Sequence, residues 1–414
     1  MKATIEKAAL LECMKGISAA FTTESHPVYL CAENGKVTFQ TVIFDKEIYH
    51  RDSQKNKIYH ILGRVYDEVP AIVEEDGEYF FNGKIFSEIV GKAYTDEITV
   101  ETSVSKSVET LKIKIGTSEY EMPTGTKFPI QTPDTESSVE YSVDGTEFKN
   151  VIKNASKVCA QKVEFDDKLF SKMLHFFISE KTLTVQSIQR HKATSLKCTI
   201  NNNPTNMRTE FTEYAVCFKP LFANISKDGV VKFSVNSRQN QCFTIRSLVV
   251  EMNQPDVEFP KVDNIIPKTF STATVETKEF IQAFRQVAIF AENIYKAVSL
   301  KFVDGGIELM TYSDDDGSVA NINVLAEIHK ESEIVVNKEF LQHLETFTSE
   351  NIQIHVQEGK IGIFGGENVF VQTASLRYGK PITTEIFREM QKDAAKKWNL
   401  NQNPTFETNH KSAA

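Results

Sequence analysis

The chain lacks long apolar runs: its apolar stretches are a few residues each, far short of the ~20 that a membrane-spanning helix needs. Met1-Lys2-Ala3-Thr4-Ile5-Glu6-Lys7 contains no extended apolar segment of the secretory type, so a cytoplasmic location and no membrane partner are expected. Cysteines are few and scattered. Cys13, Cys31, Cys159, Cys198, Cys217 and Cys242 form no CxxC pair, which argues against a zinc site or a redox dithiol. Free, mostly buried thiols in a reducing compartment are the expectation.

Basic excess is also missing. Lys and Arg number 47 against 56 Asp and Glu, a net charge of −9, so bulk charge does not hold this protein on nucleic acid. Any such contact must come from local concentration of Lys and Arg. Catalytic signatures are absent too. There is no GxxxxGK loop, GxSxG elbow or HExxH pair, and the nine histidines show no ligand spacing. Asp314-Asp315-Asp316-Gly317 lies between strand-like runs and reads as an acidic turn rather than a cation site. No nucleophile, base and oxyanion site come together, so neither enzyme activity nor a metal or cofactor is expected.

What is present is a repeat. Asn82-Gly83-Lys84-Ile85-Phe86-Ser87-Glu88-Ile89-Val90, Cys217 to Ile225 and Asn337 to Leu344 each read as a short helix, followed by a polar turn and an alternating strand. A longer amphipathic helix recurs at Ile5 to Phe21, Thr146 to Cys159 and Thr277 to Ala291. Strands such as Lys36 to Val42, Thr182 to Ser187 and Gly306 to Thr311 lie between. Phe128-Pro129 and Phe259-Pro260 close the first two units, 259 − 128 = 131 residues apart. The chain divides into 1–134, 135–268 and 269–378, with a tail at 379–414. Each unit is expected to hold two helices and about eight strands, an α+β arrangement.

The helix faces carry charge. Along 146–158, Phe148, Val151, Ile152, Ala155 and Val158 form the apolar stripe, and Lys149, Lys153 and Lys157 stand at i, i+4, i+8 opposite it with no interleaved acid. Helix 277–291 exposes Lys278 and Arg285; the helix at Lys84 carries Lys92 two turns on, with Glu88 between. An array of such domains can pair its edges head to tail and close as a ring. Two protomers of three domains place 2 × 3 × 2 helices around a hole, a circumference of about 100–120 Å at ordinary helix spacing, wide enough for duplex DNA. Basic helix faces lining it would touch phosphates without reading sequence.

At this point the chain resembles the bacterial DNA polymerase III β-subunit (sliding clamp) family, from Met1 to about Arg377. The likeness is best at Val257-Glu258-Phe259-Pro260-Lys261-Val262-Asp263-Asn264-Ile265-Ile266-Pro267 and from Val275 to Leu376. The Asn-x-x-aromatic-Leu of the last helix is matched by Asn337, Phe340 and Leu341. The resemblance implies a head-to-tail homodimeric ring on duplex DNA, tethering a DNA polymerase and opened by a clamp-loader ATPase. It implies a dimer contact through Tyr120 and Met122 on one edge and Ile289 and Phe290 on the other. It implies a groove for partner peptides at Ser187, Gln189, Arg190, His191, Pro260, Asn264, Ile265, Asn337, Phe340, Val371 and Thr373. Here the chain departs from the family. The usual Thr-Asp-Gly-His-Arg-Leu is replaced by Ser187-Ile188-Gln189-Arg190-His191-Lys192, and Met-Pro-Met-Arg-Leu by Thr373-Ala374-Ser375-Leu376-Arg377, after which the chain continues.

Thr383-Thr384-Glu385 is read as the cap of a tail helix running to about Trp398, with Phe387, Met390, Ala394 and Trp398 on one face. A flexible appendage is the default for such a tail. The alternative is docking through Phe387, Trp398 or the Gln402…Phe406 stretch. A clamp-like adaptor that does not encircle DNA is the competing function.

Overall fold

The structure, a computed structural model, describes residues 1–105, 108–134, 139–160, 169–189, 191–202, 209–226, 229–235, 240–266, 271–357, 359–377 and 380–401. One scheme occurs three times. A short strand runs straight into a long helix: Lys2–Glu6 into α1 (Lys7–Ala19), and, after α2 (Gly83–Gly91), Glu140–Asp144 into α3 (Gly145–Ser156). After α4 (Lys219–Asn224), Ala273–Glu276 enters α5 (Thr277–Ala288). The third short helix is α6 (Phe340–Leu344).

Local chemistry sets these starts. The Asp144 carboxylate accepts from the Glu147 amide at 2.8 Å, and Glu276 accepts from the amides of Lys278 and Glu279. Each satisfies amides that a helix N-terminus leaves orphaned. Helical spacing then buries Leu10, Cys13, Met14 and Ile17 in α1, Phe148, Val151, Ile152 and Ala155 in α3, and Phe280, Ala283, Phe284 and Val287 in α5.

Strand register repeats as well. The first strand of each copy pairs with the strand after its short helix, matching Ile5 with Ile98, Val143 with Val231 and Val275 with Ile352. On its other side it meets a strand that precedes that short helix, at Ile5–Ala71, Val143–Ile200 and Val275–Ala326. Apart from two small hairpins, Tyr49–Arg51 with Lys57–Tyr59 and Leu376–Arg377 with Lys380–Pro381, each copy has two α-helices and eight strands among the described residues.

Packing groups the chain into two compact units, Met1–Ser187 with Lys197–Pro260, and Ile188–Leu196 with Lys261–Ala414. Within the first, Gly63–Tyr66 pairs antiparallel with Val249–Met252, and α1 packs on α4. Its second copy holds a phenylalanine core in which Phe176 stacks on Phe211 at 4.6 Å and Phe218 meets Phe243 edge-on at 5.3 Å. Within the second unit, Lys192–Ser195 pairs with Val369–Gln372, and Phe340 packs between Phe284 and Phe370.

The tail corrects the expectation of a flexible appendage. After Ile382 comes α7 (Thr384–Asn401), whose Phe387 and Ala394 are buried in one cluster with Ala297, Tyr312 and Val335. A fully buried phenylalanine anchors the helix. The Trp398 side chain and residues 402–414 lie outside the described residues. No helix among the described residues is long and apolar enough to cross a membrane.

Candidate functional site

The basic helix positions are not equivalent. Lys149 is half-buried, and its Nζ donates to the Phe222 carbonyl of α4 at 2.8 Å. Lys153 and Lys157, on the same row, are exposed. Lys278 is exposed in the first turn of α5, and Lys92 is exposed at the C-cap of α2. Lys84, however, pairs with Glu24, and Arg285 with Glu345 at 2.7 Å. These two positions therefore have acid partners. Their acids come from other segments of the chain, which spacing along one helix does not reveal. Exposed pairs of this kind add little stability, but they reduce the local positive potential.

The four expected contact residues also divide. Tyr120 is 41% exposed and Met122 only 3%, on the strand Ser118–Pro123. The two stand two residues apart on the same strand face, opposite the buried Ile113 and Leu111, and that face is covered at Met122 and open at Tyr120. This strand pairs with Val108–Ile115 and has no second strand partner among the described residues. Ile289 and Phe290, just beyond α5, are 70% and 40% exposed.

The second unit contains a cavity of about 300 Å³. His191, Asn337 and Thr373 line it, together with Lys192, Tyr295, Glu339 and the strand end Gln372–Ser375. Its frame is tightly tied. The Thr373 amide donates to the His191 carbonyl at 3.0 Å, and Asn337 Nδ2 donates to the Tyr295 carbonyl at 3.1 Å. Lys192 Nζ meets Glu339 at 3.0 Å across the wall. Two polar atoms here, Gln372 Oε1 and Ser375 Oγ, are buried without a hydrogen-bond partner. Such atoms favour an incoming polar group, since orphaned buried polar atoms are costly.

The other expected groove residues lie elsewhere. Phe340 and Val371 are core residues, 0% and 2% exposed. Ser187 is fully buried in the first unit and donates its hydroxyl to the Ala155 carbonyl at 2.7 Å. Gln189 is half-buried, Pro260 is half-buried at the end of the first unit, and Asn264 and Ile265 sit at a short 3-10 turn. Arg190 lies outside the described residues. Sequence reading missed Tyr295, Glu339 and Gln372; the signal available for Gln372 was a polar residue at an inward position of an apolar strand.

Two other features are structural. Asp314-Asp315-Asp316-Gly317 forms the turn between Gly306–Tyr312 and Val319–Ile328, where Asp314 accepts from the Ile294 amide at 2.7 Å. No group of three metal-ligating side chains occurs among the described residues.

Residues 263–363 match the family model of the DNA polymerase III beta subunit, C-terminal domain. The fold matches the DNA polymerase sliding clamp of Bacillus subtilis at TM-score 0.76 and 16% identity, covering 91% of this chain and 100% of that one. The Pseudomonas aeruginosa sliding clamp matches at TM-score 0.73 and 15% identity, covering 91% and 99%. The DNA polymerase III beta subunit of Thermotoga maritima matches at 0.72 and 17%, with 91% and 99% covered. No curated protein matches the chain in sequence.

Proposed function

We propose that this chain is a divergent member of the DNA polymerase III beta-subunit family and acts as a DNA sliding clamp, a reading supported by the family match over residues 263–363 and by the fold it shares with solved clamps. Two copies close head to tail into a ring around duplex DNA and tether a DNA polymerase to it. The observation that carries this reading is the threefold scheme of two helices and eight strands, running from Lys2 to Thr373.

The mechanism is topological. A closed ring replaces dissociation with sliding, so the protein need not hold any base tightly. Lys153, Lys157 and Lys278 supply exposed positive charge for non-specific phosphate contact. Lys84, Lys92, Lys149 and Arg285 belong to the same surface in this reading. Tyr120 of one protomer faces Ile289 and Phe290 of the other protomer, with Met122 buried beside Tyr120 on the same strand. The chain has no nucleotide-binding loop, so a separate loader ATPase opens the ring. The chain is a non-catalytic processivity factor, and the cavity at His191, Asn337 and Thr373 receives a linear peptide from its partners.

The test is retention on DNA after loading. Encirclement predicts salt-resistant retention on circular duplex that is lost when the circle is cut. A clamp-like adaptor is the second reading, favoured by the acid pairing of Lys84 and Arg285. It predicts a dimer with no retention on circles, and that result would end the clamp reading.

A further inference from the structure

The hairpin Tyr49–Arg51 and Lys57–Tyr59 stands outside the repeated scheme. Its register pairs Tyr49 with Tyr59, His50 with Ile58 and Arg51 with Lys57. Alternation puts Tyr49, Arg51, Lys57 and Tyr59 on one face. There Lys57 Nζ lies 4.3 Å and the Arg51 guanidinium carbon 5.7 Å from the Tyr49 ring centre. The opposite face presents His50 and, diagonally across the strands, His60. Both are exposed, and His50 Nδ1 lies 3.4 Å from His60 Nε2.

The hairpin is held at both ends. At its turn, Asp52 accepts from the amides of Gln54 and Asn56 and from the Asn56 side chain. At its base, Tyr59 stacks on Phe44 at 5.0 Å, and Phe44 stacks on the fully buried His26 at 5.1 Å. The His60 amide donates to the Ile48 carbonyl. This aromatic column ties the backbone carrying the imidazoles to the core of the first copy.

We propose that His50 and His60 form a two-nitrogen site for a divalent transition metal of the Zn²⁺ or Ni²⁺ class. With metal–nitrogen bonds of about 2.0–2.1 Å, the edge of a tetrahedron is about 3.3–3.4 Å, so the ring nitrogens already stand at chelating separation. The remaining positions stay open to water or to an incoming carboxylate. The Asp52 carboxylate, within electrostatic reach of His50, adds negative potential, while Arg51 and Lys57 project from the other face. Coordination needs both facing nitrogens free of protons, so protons compete with the metal for the site.

The test uses the full chain and the metal alone. Calorimetric titration with Zn²⁺, repeated with Ni²⁺, is run on the wild type, H50Q, H60Q and the H50Q/H60Q double variant. The wild type is expected to bind one more ion per chain than the double variant, and either single variant to lose at least about tenfold in affinity at that site. Histidine side-chain NMR shifts place the ion on these two rings. Equal stoichiometry and affinity in the wild type and the double variant, or Zn²⁺-induced shifts confined to other histidines, overturns the proposal. The experiment involves no DNA, so its failure is separable from failure of the clamp reading.

Discussion

Phe387 of the C-terminal helix sets its ring 5.1 Å from that of Tyr312 in the body of the third copy. Phe387 is fully buried, and Tyr312 is 1% exposed. The extension therefore contributes to the core of that copy. Phe387→Ala should destabilise the protein by about 3–5 kcal/mol, the usual cost of emptying a buried aromatic site. Denaturant unfolding followed by fluorescence or circular dichroism would show it. An unchanged midpoint would mean that the helix docks without stabilising.

Charge substitutions on the helices should not be interchangeable. Lys153→Ala is expected to lower the salt dependence of DNA binding by about 0.9 in log–log slope, one phosphate contact. Arg285→Ala should change it less, because Glu345 already holds that guanidinium at 2.7 Å. Glu345→Gln should strengthen DNA association. Binding titrations across a salt series check all three, and identical slopes for Lys153→Ala and Arg285→Ala would refute the distinction.

Glu213 is fully buried on the strand Thr209–Tyr214, and neither carboxyl oxygen has a hydrogen-bond partner. Burial pushes its pKa well above 4.5. The folded state thus holds a proton that the unfolded chain releases. Stability from this group is complete below about pH 4.5, the unfolded value, and declines as pH rises toward the folded one. Glu213→Gln should remove that decline. Its melting temperature should exceed that of the wild type near pH 8, and the gap should close near pH 4.5. A pH-independent gap would show that Glu213 is not protonated in the fold.

Filling the cavity should separate the two activities that the clamp reading predicts. Thr373→Trp places an indole against His191 and Asn337, which line the same space. Polymerase stimulation should fall at least about tenfold while retention on circular DNA persists. Loss of both would mean that the substitution disrupts the strand Asn368–Thr373 instead.

The repeated scheme was legible because it rests on local periodicity. The Phe148, Val151, Ile152 and Ala155 stripe identifies α3 from spacing alone, and all four residues are buried. Relationships spanning distant segments were not legible. Lys84 meets Glu24 and Arg285 meets Glu345 only because the fold brings separate elements together. Phe340 matched a family position, yet its face is decided by packing against Phe284 and Phe370. Glu213 gave only the hint of a charged residue two positions from Phe211, on the inward side of its strand.

Between Gly63–Tyr66 and Val249–Met252, four residue pairs carry main-chain bonding from the first copy directly into the second. A bending force at that seam cannot be relieved by hinging a loop; it must strip amide–carbonyl bonds and slide α1 over α4. The first two copies should consequently travel as one stiff block under load.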